Sequence, residues 1–578
     1  MNEINVVKES LVFPTKHLPK CFSNLGLYDK LDDIYNSYNN VEEMLKDNFI
    51  MEENKIKEFK GYRDNVYGLK KGTEPIDLYI SKPNGANRII SVVNPLVLIP
   101  LHFYINKYHL EILDEQALPT DNYDSSSRFS FEEGEFIRLY DYEEGPVMLE
   151  YANVVQPNYQ KNLLNKQKIC NGKYYHLGVD INNFFNSIYT HTISWDLNNN
   201  NNKIIFDNLD VLNRTLNGNE TKGIVIGPYT SSLFSEIILA KVDRKIVEVC
   251  KDKDISFVRF CDDYDFYSDS KESLENDTRL LISENLSKYK LDLNMNKMKL
   301  EEFPFISLNT IQNKSIFLLI KRIEENAYDD KLEFIEDVMN EINNSLKTKY
   351  SNCKYLLKIL TSKIKKKVIT KDYFDEDTAE ILLDFLINMM FKQNMISTDA
   401  FNLIVEIFNL LELDKDRIII KWIKKRDSRI SHIKEITDIW LSYLIIKLDI
   451  CNNESTKYMF DIMNKSDLCA ILSFEYFNKN DLLDIYKEEI KEYLSSIKNE
   501  LLKRYDTNWK NASYYSKYWL LFYTNCMRWK IHTKNGFKDT ILFDTDLNNL
   551  IKDVLLKEKL NLFKIMFDNN VEFICFEE

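Results

Sequence analysis

The sequence predicts an α+β amino-terminal domain followed by an all-α carboxyl-terminal domain of stacked helices. Three observations carry that division. All eleven prolines lie at or before Pro304, and twelve of the thirteen glycines lie at or before Gly227, leaving only Gly536 beyond. Turns and strands are therefore written into the first part and almost nowhere after it. Short apolar runs of period two occur early, and stripes of period 3.6 dominate later. The boundary falls near 305–320, giving segments 1–310 and 311–578.

In chain order, Tyr175, Leu177 and Val179 alternate into a strand that ends at Asp180, after which Phe184, Phe185 and Ile188 begin a helical spacing. The stretch SFVRFCDDYDFYS (256–268) reads as a β-hairpin with Asp262 and Asp263 at its tight turn and Asp265 just beyond. In the second half, DTAEILLDFLINMMF presents Leu382, Phe385, Leu386 and Met389 on one face, with Asp377 and Glu380 as a capping-box-like start. STDAFNLIVEIFNLL repeats the pattern with Phe401, Ile404, Phe408 and Leu411 behind a Ser397/Thr398 cap, and EITDIWLSYLIIKL with Ile436, Ile439, Trp440, Tyr443 and Leu444. Capped helices joined by short polar loops predict stacked helical hairpins, without a fixed sequence period. Aromatic stripes at this spacing are read as core.

A chain of 578 residues exceeds one ordinary core, and 44% hydrophobic content suffices for globular folding. The longest apolar run, LVLIPLHFYI (96–105), is too short to span a bilayer, and MNEINVVKES has no apolar signal core. A cytoplasmic protein with no membrane partner is expected. The cysteines are scattered singly, with no C-x-x-C pair, which argues against both a disulfide framework and a zinc site. A net charge of −14 argues against a protein that coats long duplex nucleic acid, although a narrow basic channel remains compatible with it. The basic runs KIKKK (363–367) and KWIKKR (421–426) read as solvated helix faces.

The pairs Asp32-Asp33 and Asp329-Asp330 sit in polar surroundings and suit solvated turns or helix faces. Asp262-Asp263 is embedded in apolar and aromatic residues, where unpaired carboxylates repel and call for a cation. From that stretch alone, a metal site and a plain acidic turn both stand. If a cation is needed, Asp180 at its strand end is the best candidate for the other carboxylate. Carboxylates so placed suit two Mg²⁺ ions joining an attacking hydroxyl to a nucleoside triphosphate, which is nucleotidyl transfer.

Five pieces in order, ISKPNGANRIISVVNP (80–95), DINNFF, GIVIGPYTSSLFSEIIL (223–239), FCDDYDFY and LDLNMNKMKLEEFPF (291–305), resemble the fingers and palm motifs of reverse transcriptases. SIYTHTISW (187–195), together with a long helical second half where a thumb would be, is similar to the bacterial abortive-infection reverse transcriptases, especially the AbiK type. The resemblance implies right-hand polymerase fingers and a ferredoxin-like palm, followed by a helical-repeat-like domain. It implies that Asp180 and Asp262 hold two Mg²⁺ ions (or Mn²⁺), that the Ile181 carbonyl assists one of them, and that Asp263 shapes the field. Phe185, five residues after Asp180, matches the steric gate that selects deoxynucleotides. Lys82 and Arg88 match fingers cations that bind the triphosphate, Gly227 a close approach to the nucleotide, and Lys297 a palm lysine near pyrophosphate.

Two departures matter. Ile226 stands where templated members usually have a glutamine, and no thumb motif follows Pro304. The resemblance therefore implies template-independent DNA synthesis from a protein hydroxyl, in phage defence. The partners expected are deoxynucleoside triphosphates, a single-stranded DNA product and further copies of the chain. The priming residue is not marked by any motif; Tyr28, Tyr35 and Tyr38 stand in an early polar segment. An RNA-templated enzyme using a bound noncoding RNA is the alternative, and a helical interaction scaffold with a relic palm is the alternative of another class.

Overall fold

The computed structural model describes residues 6–60, 72–81, 87–138, 157–305, 314–348, 350–427, 434–505, 509–528, 530–532, 538–540 and 561–576. Lys82 and residues 306–313 of the expected boundary near 305–320 lie outside them.

Ile76–Ser81 (β1) and Asn87–Val92 (β2) form an antiparallel hairpin. The apolar run that follows them becomes the buried helix Pro95–Lys107 (α1), entered through Asn94, whose side chain accepts from Leu96 N–H. No helix among the described residues is long and apolar enough to cross a membrane.

The central sheet has five strands. Tyr123–Ser125 (β3) is joined by Tyr175–Asp180 (β4), which follows helix Pro157–Cys170 (α2). Helix Tyr229–Asp252 (α3) leads to the hairpin Ser256–Phe260 (β5) and Asp263–Ser268 (β6). Helix Arg279–Lys288 (α4) then leads to Lys299–Glu302 (β7). The spatial order is β7-β4-β6-β5-β3, antiparallel except where β3 runs parallel to β5. Strand alternation sorts the side chains by face. Leu177, Val179, Phe257, Tyr264 and Phe266 belong to the main core with residues of α3 and α4. Val258, Tyr267 and Phe305 form a smaller cluster with Ile169 and Cys170 of α2. The carboxylates of Asp180, Asp263 and Asp265 fall on that second side by register, since Asp263 pairs with Asp180 and Asp265 with Gly178.

The hairpin turn is one residue earlier than predicted. Cys261 and Asp262 make the turn, Cys261 with a left-handed φ of 51°, and Asp263 is already the first residue of β6. The shift places Asp263 directly beside Asp180.

From Lys314 to Tyr505 the described chain is helical, and the predicted apolar stripes are buried or packed against the core. Two caps differ from expectation. The helix Glu376–Lys392 starts at Asp375, which forms a capping box with Thr378, because that aspartate sits where the chain enters from an extended conformation. Ser397 opens its helix as a helical residue, and Thr398 instead donates to the Lys16 carbonyl at 3.3 Å. The second half also contains a two-stranded ribbon, Lys530–His532 with Lys538–Thr540, against the all-helical expectation. The isolated Gly536 between those strands in sequence was its available signal.

The helical half packs on the first half. Ser81 Oγ donates to the Lys392 carbonyl at 3.1 Å, Asn94 Nδ2 to the Tyr514 carbonyl at 2.6 Å and Glu74 N to the Tyr515 carbonyl at 2.8 Å. The carboxyl-terminal residues return to the start of the chain, where Ser23 N–H donates to Phe573 and Cys575 N–H to Cys21. A Cβ at Gly26 would lie 2.1 Å from the Glu572 carbonyl oxygen. We expect Gly26→Ala to lower unfolding stability by about 1–3 kcal/mol through overpacking and to speed proteolytic loss of the 571–576 segment, read by urea denaturation and limited proteolysis.

Candidate active site

The site is built where β4 ends and the β5–β6 hairpin turns. Asp180 is 8% exposed. One of its carboxylate oxygens accepts from Lys297 Nζ at 2.7 Å and the other from Asn294 Nδ2 at 3.1 Å. Its backbone carbonyl accepts from Asn294 N–H at 2.8 Å, so the loop carrying Lys297 is stitched to the strand end. Ile181 is buried and donates its N–H to the Asp262 carbonyl at 3.1 Å. Its bridge to Leu293 runs through the N–H groups of Asn182 and Asn294, which spares the Ile181 carbonyl.

Three carboxylates are therefore held close with one ammonium among them. Partial burial, then the charges of Asp262 and Asp180, raise the Asp263 pKa to about 7, although its surface is open. Burial likewise raises Asp262, helped by Asp180 and opposed by Lys297 and Arg88. Arg88, on β2, thus reaches the site electrostatically, which links the fingers-like hairpin to the turn. Lys297 is itself raised, because its bond and charge contact with Asp180 outweigh the cost of its burial.

No group of three or more His, Cys, Asp or Glu side chains among the described residues already stands in metal-binding geometry. The donor set nevertheless fits a hard divalent cation. It is all oxygen, and the Lys297 ammonium on Asp180 is a stand-in cation among three carboxylates.

Phe185 follows Asp180 by one short helical turn; it is half-buried, its ring lies 5.4 Å from that of Phe184, and its carbonyl accepts from Ile224 N–H at 3.0 Å. Gly227 has φ +152°, and a Cβ there would lie 2.7 Å from the Ser91 carbonyl oxygen. The close approach this glycine permits in the structure is to β2. Ile226 accepts from Ser91 N–H at 2.8 Å and lines a cavity of about 140 Å³ with Asp77, Ser91, Asn186, Asn217 and Lys222.

Sequence reasoning missed what holds the turn. Arg259, fully buried, donates to Glu236 (2.7 and 2.9 Å), to Asp243 (2.6 to 3.1 Å) and to the Cys261 carbonyl at 3.1 Å. Ser125 and Ser127 donate to Glu236 at 2.6 and 2.7 Å, and Ser127 Oγ accepts from Cys261 N–H at 3.0 Å. Tyr264 donates to Asp243 at 2.8 Å. Burial opposes ionisation of Glu236, but Arg259 and the two serines hold it at about 2. Asp243 stays raised, by burial and by Glu236. The signal was present: an arginine inside an apolar strand, with acids seven residues apart on the apolar helix α3.

SIYTHTISW forms a 3₁₀ turn, Thr190–Ser194, whose neighbouring carbonyls at Thr192, Ile193 and Trp195 accept from the buried Lys241 ammonium at 3.3, 2.5 and 2.5 Å. Burial lowers the Lys241 pKa to about 7. Asp265, the hairpin's third aspartate, is taken up by His176 at 2.7 Å and Lys166 at 2.5 Å. Those partners outweigh burial and hold it at about 2. Of the early tyrosines, Tyr28 donates to Glu135, Tyr38 donates to Asp47 at 2.7 Å, and the Tyr35 ring lies 4.7 Å from Phe103.

With this geometry in view, residues 138–366 match the family described as reverse transcriptase (RNA-dependent DNA polymerase). The Retron Ec83 reverse transcriptase of Escherichia coli is 29% identical over 120 residues, which are 20% of this chain and 38% of that protein. The match thus spans well under half of that relative. Among solved structures, apo telomerase from Candida tropicalis is 14% identical, covering 73% of each chain with a TM-score of 0.27. Telomerase from Candida albicans, in complex with a fragment of telomeric RNA, is 12% identical, covering 71% of this chain and 70% of that one with a TM-score of 0.28.

Because the folded-state pKa of Asp263 lies above the unfolded carboxylate value of about 3.9, the proton favours the fold. Stability conferred by that proton is lost as pH rises from about 4 to about 7. In metal-free buffer at pH 8, Asp263→Asn should therefore unfold at higher urea than wild type, by on the order of 1 kcal/mol after solvent screening. At pH 4 the difference should vanish.

Proposed function

We propose that this chain, which carries a reverse-transcriptase domain over residues 138–366, is a bacterial defence enzyme of the abortive-infection, AbiK-like kind. On this reading it joins deoxynucleotides to a protein hydroxyl without a template, leaving single-stranded DNA covalently attached. The observation that carries the polymerase reading is the pairing of Asp263 with Asp180 beside the Asp262 turn, clamped by Lys297. The β-α-β-β-α-β succession from β4 to β7 supports a ferredoxin-like palm.

Asp180 and Asp262 would hold two Mg²⁺ ions, which when bound lower the pKa of the attacking hydroxyl and stabilise charge on the departing pyrophosphate. The protein's own groups do the rest. Lys297 offsets the carboxylate charge before substrate arrives, and its side chain is more than half exposed, within reach of phosphate oxygens. Arg88, with Lys82 beyond the described residues, supplies the fingers cations for the triphosphate. Phe185 excludes a ribose 2′-hydroxyl by occupying its space. Burial and Asp47 raise the Tyr38 pKa and make that hydroxyl a poor primer.

Ile226 supports template independence, since it brings an apolar side chain where an amide would orient a template. So does the helical half, which packs on the fingers-like strands through Ser81 and Glu74. The second reading, synthesis on a bound noncoding RNA, is favoured by the likeness to a retron reverse transcriptase. A cytoplasmic homo-oligomer accompanies the first reading.

Incubation with Mg²⁺ and labelled deoxynucleotides, without template or primer, should give label that comigrates with the protein on a denaturing gel. Protease should release it, and Asp262→Ala should abolish it. Label appearing only when RNA and a primer are added would establish the second reading. Phe185→Ala should raise ribonucleotide incorporation relative to deoxynucleotide by at least tenfold, about 1.4 kcal/mol of discrimination.

A further inference from the structure

The outer edge of the palm-like sheet continues away from the carboxylates, past the site's own Lys297, as a row of exposed side chains. β7 is the edge strand, and Lys299 pairs with Gly178 while Glu301 pairs with His176. Beyond the ladder, Phe303 N–H donates to the Tyr174 carbonyl at 2.8 Å, which sets these two residues side by side. The alternation that puts Asp180, Gly178 and His176 on one face brings Tyr174 to the same face, with Lys299, Glu301 and Phe303 opposite them.

The row is open to solvent. Lys297 and Lys299 side chains are 59% and 64% exposed, and Tyr174 and Phe303 are each 62% exposed. Glu301, the acid between them, is already matched by Lys299 and by His176 at 3.3 Å. Phe303 is backed by Phe305, with ring centroids 5.8 Å apart, and Phe305 belongs to the buried cluster under α2. The aromatic end is thus a supported platform, and Lys297 at the other end touches Asp180. From Asp180 to Tyr174 the strand covers roughly 20 Å at about 3.3 Å per residue, the reach of several nucleotides.

We propose that this edge is a binding track for single-stranded DNA, by which the strand made at the site leaves it. Lys299 faces its phosphates, and Tyr174 and Phe303 stack on its bases. Cationic side chains followed by aromatic faces are how single strands are held without sequence preference. The track deepens the polymerase reading and rests on it for the origin of the DNA.

The full chain is tested with preformed oligo(dT), by fluorescence anisotropy and by photocrosslinking of a 5-bromodeoxyuridine oligonucleotide. Crosslinked peptides should contain Tyr174 or Phe303. Tyr174→Ala with Phe303→Ala should weaken binding by about tenfold or more per ring removed, and shorten the protein-attached DNA several-fold. Tyr174→Leu with Phe303→Leu, which keeps apolar bulk, should be as weak, whereas Tyr174→Phe with Phe303→Tyr should bind as wild type does. A double-alanine protein that is folded and binds oligo(dT) as tightly as wild type overturns the track. Crosslinks at these rings in a protein that polymerises under no condition overturn the polymerase reading and leave the DNA-binding edge standing.

Discussion

Everything at the carboxylate site depends on one buried cation. Arg259 has no exposed surface, and its guanidinium ties two acids of helix α3 to the carbonyl of the turn residue Cys261. Charges in such a place are expensive to desolvate, and they persist because the arrangement satisfies nearly every donor and acceptor. The bidentate bonds to Glu236 and the triple contact with Asp243 fix the guanidinium plane. That plane in turn fixes the turn from below, while Ser127 fixes it from the side. A hairpin tip bearing two carboxylates would otherwise relieve its repulsion by moving apart.

The same logic explains why the repulsion is tolerated. Asp262 and Asp263 have raised pKa values first because they are buried and then because carboxylates stand beside them, Asp180 being held there by Asn294 and Lys297. Rigid support beneath a site that lacks charge balance is how a protein stores affinity for a cationic partner. The three carboxylates have Lys297 beside them on Asp180, whereas the neighbouring Asp265 is matched by both Lys166 and His176.

The helical half bears on the site through the fingers-like hairpin. Ser81, at the end of β1, is held by Lys392 and Asn394, and Glu74, just before it, by Arg504 and Tyr505. Arg88 lies on the partner strand of that hairpin and its charge acts on Asp262. The position of Arg88 is thereby set by residues more than three hundred positions away in sequence, and the apolar core runs continuously through both halves.

Local chemistry made much of this legible before folding. Strand alternation ending at Asp180, an acidic pair inside an apolar hairpin and the loss of glycine and proline after the middle of the chain are short-range properties, and they determined the elements and the three carboxylates. The turn slipped by one residue because the tip depends on hydrogen bonds from Arg259 and Ser127, which no local pattern encodes. Lys297 could be named by its motif, but its 2.7 Å contact with Asp180 arises only when β7 closes on the outer side of β4. Tyr174 and Phe303 are 129 residues apart in sequence and become neighbours for the same reason. The sequence by itself determined which residues could carry charge into the core; tertiary structure decided which of those charges were balanced, because balance depends on distances between segments that only packing brings together.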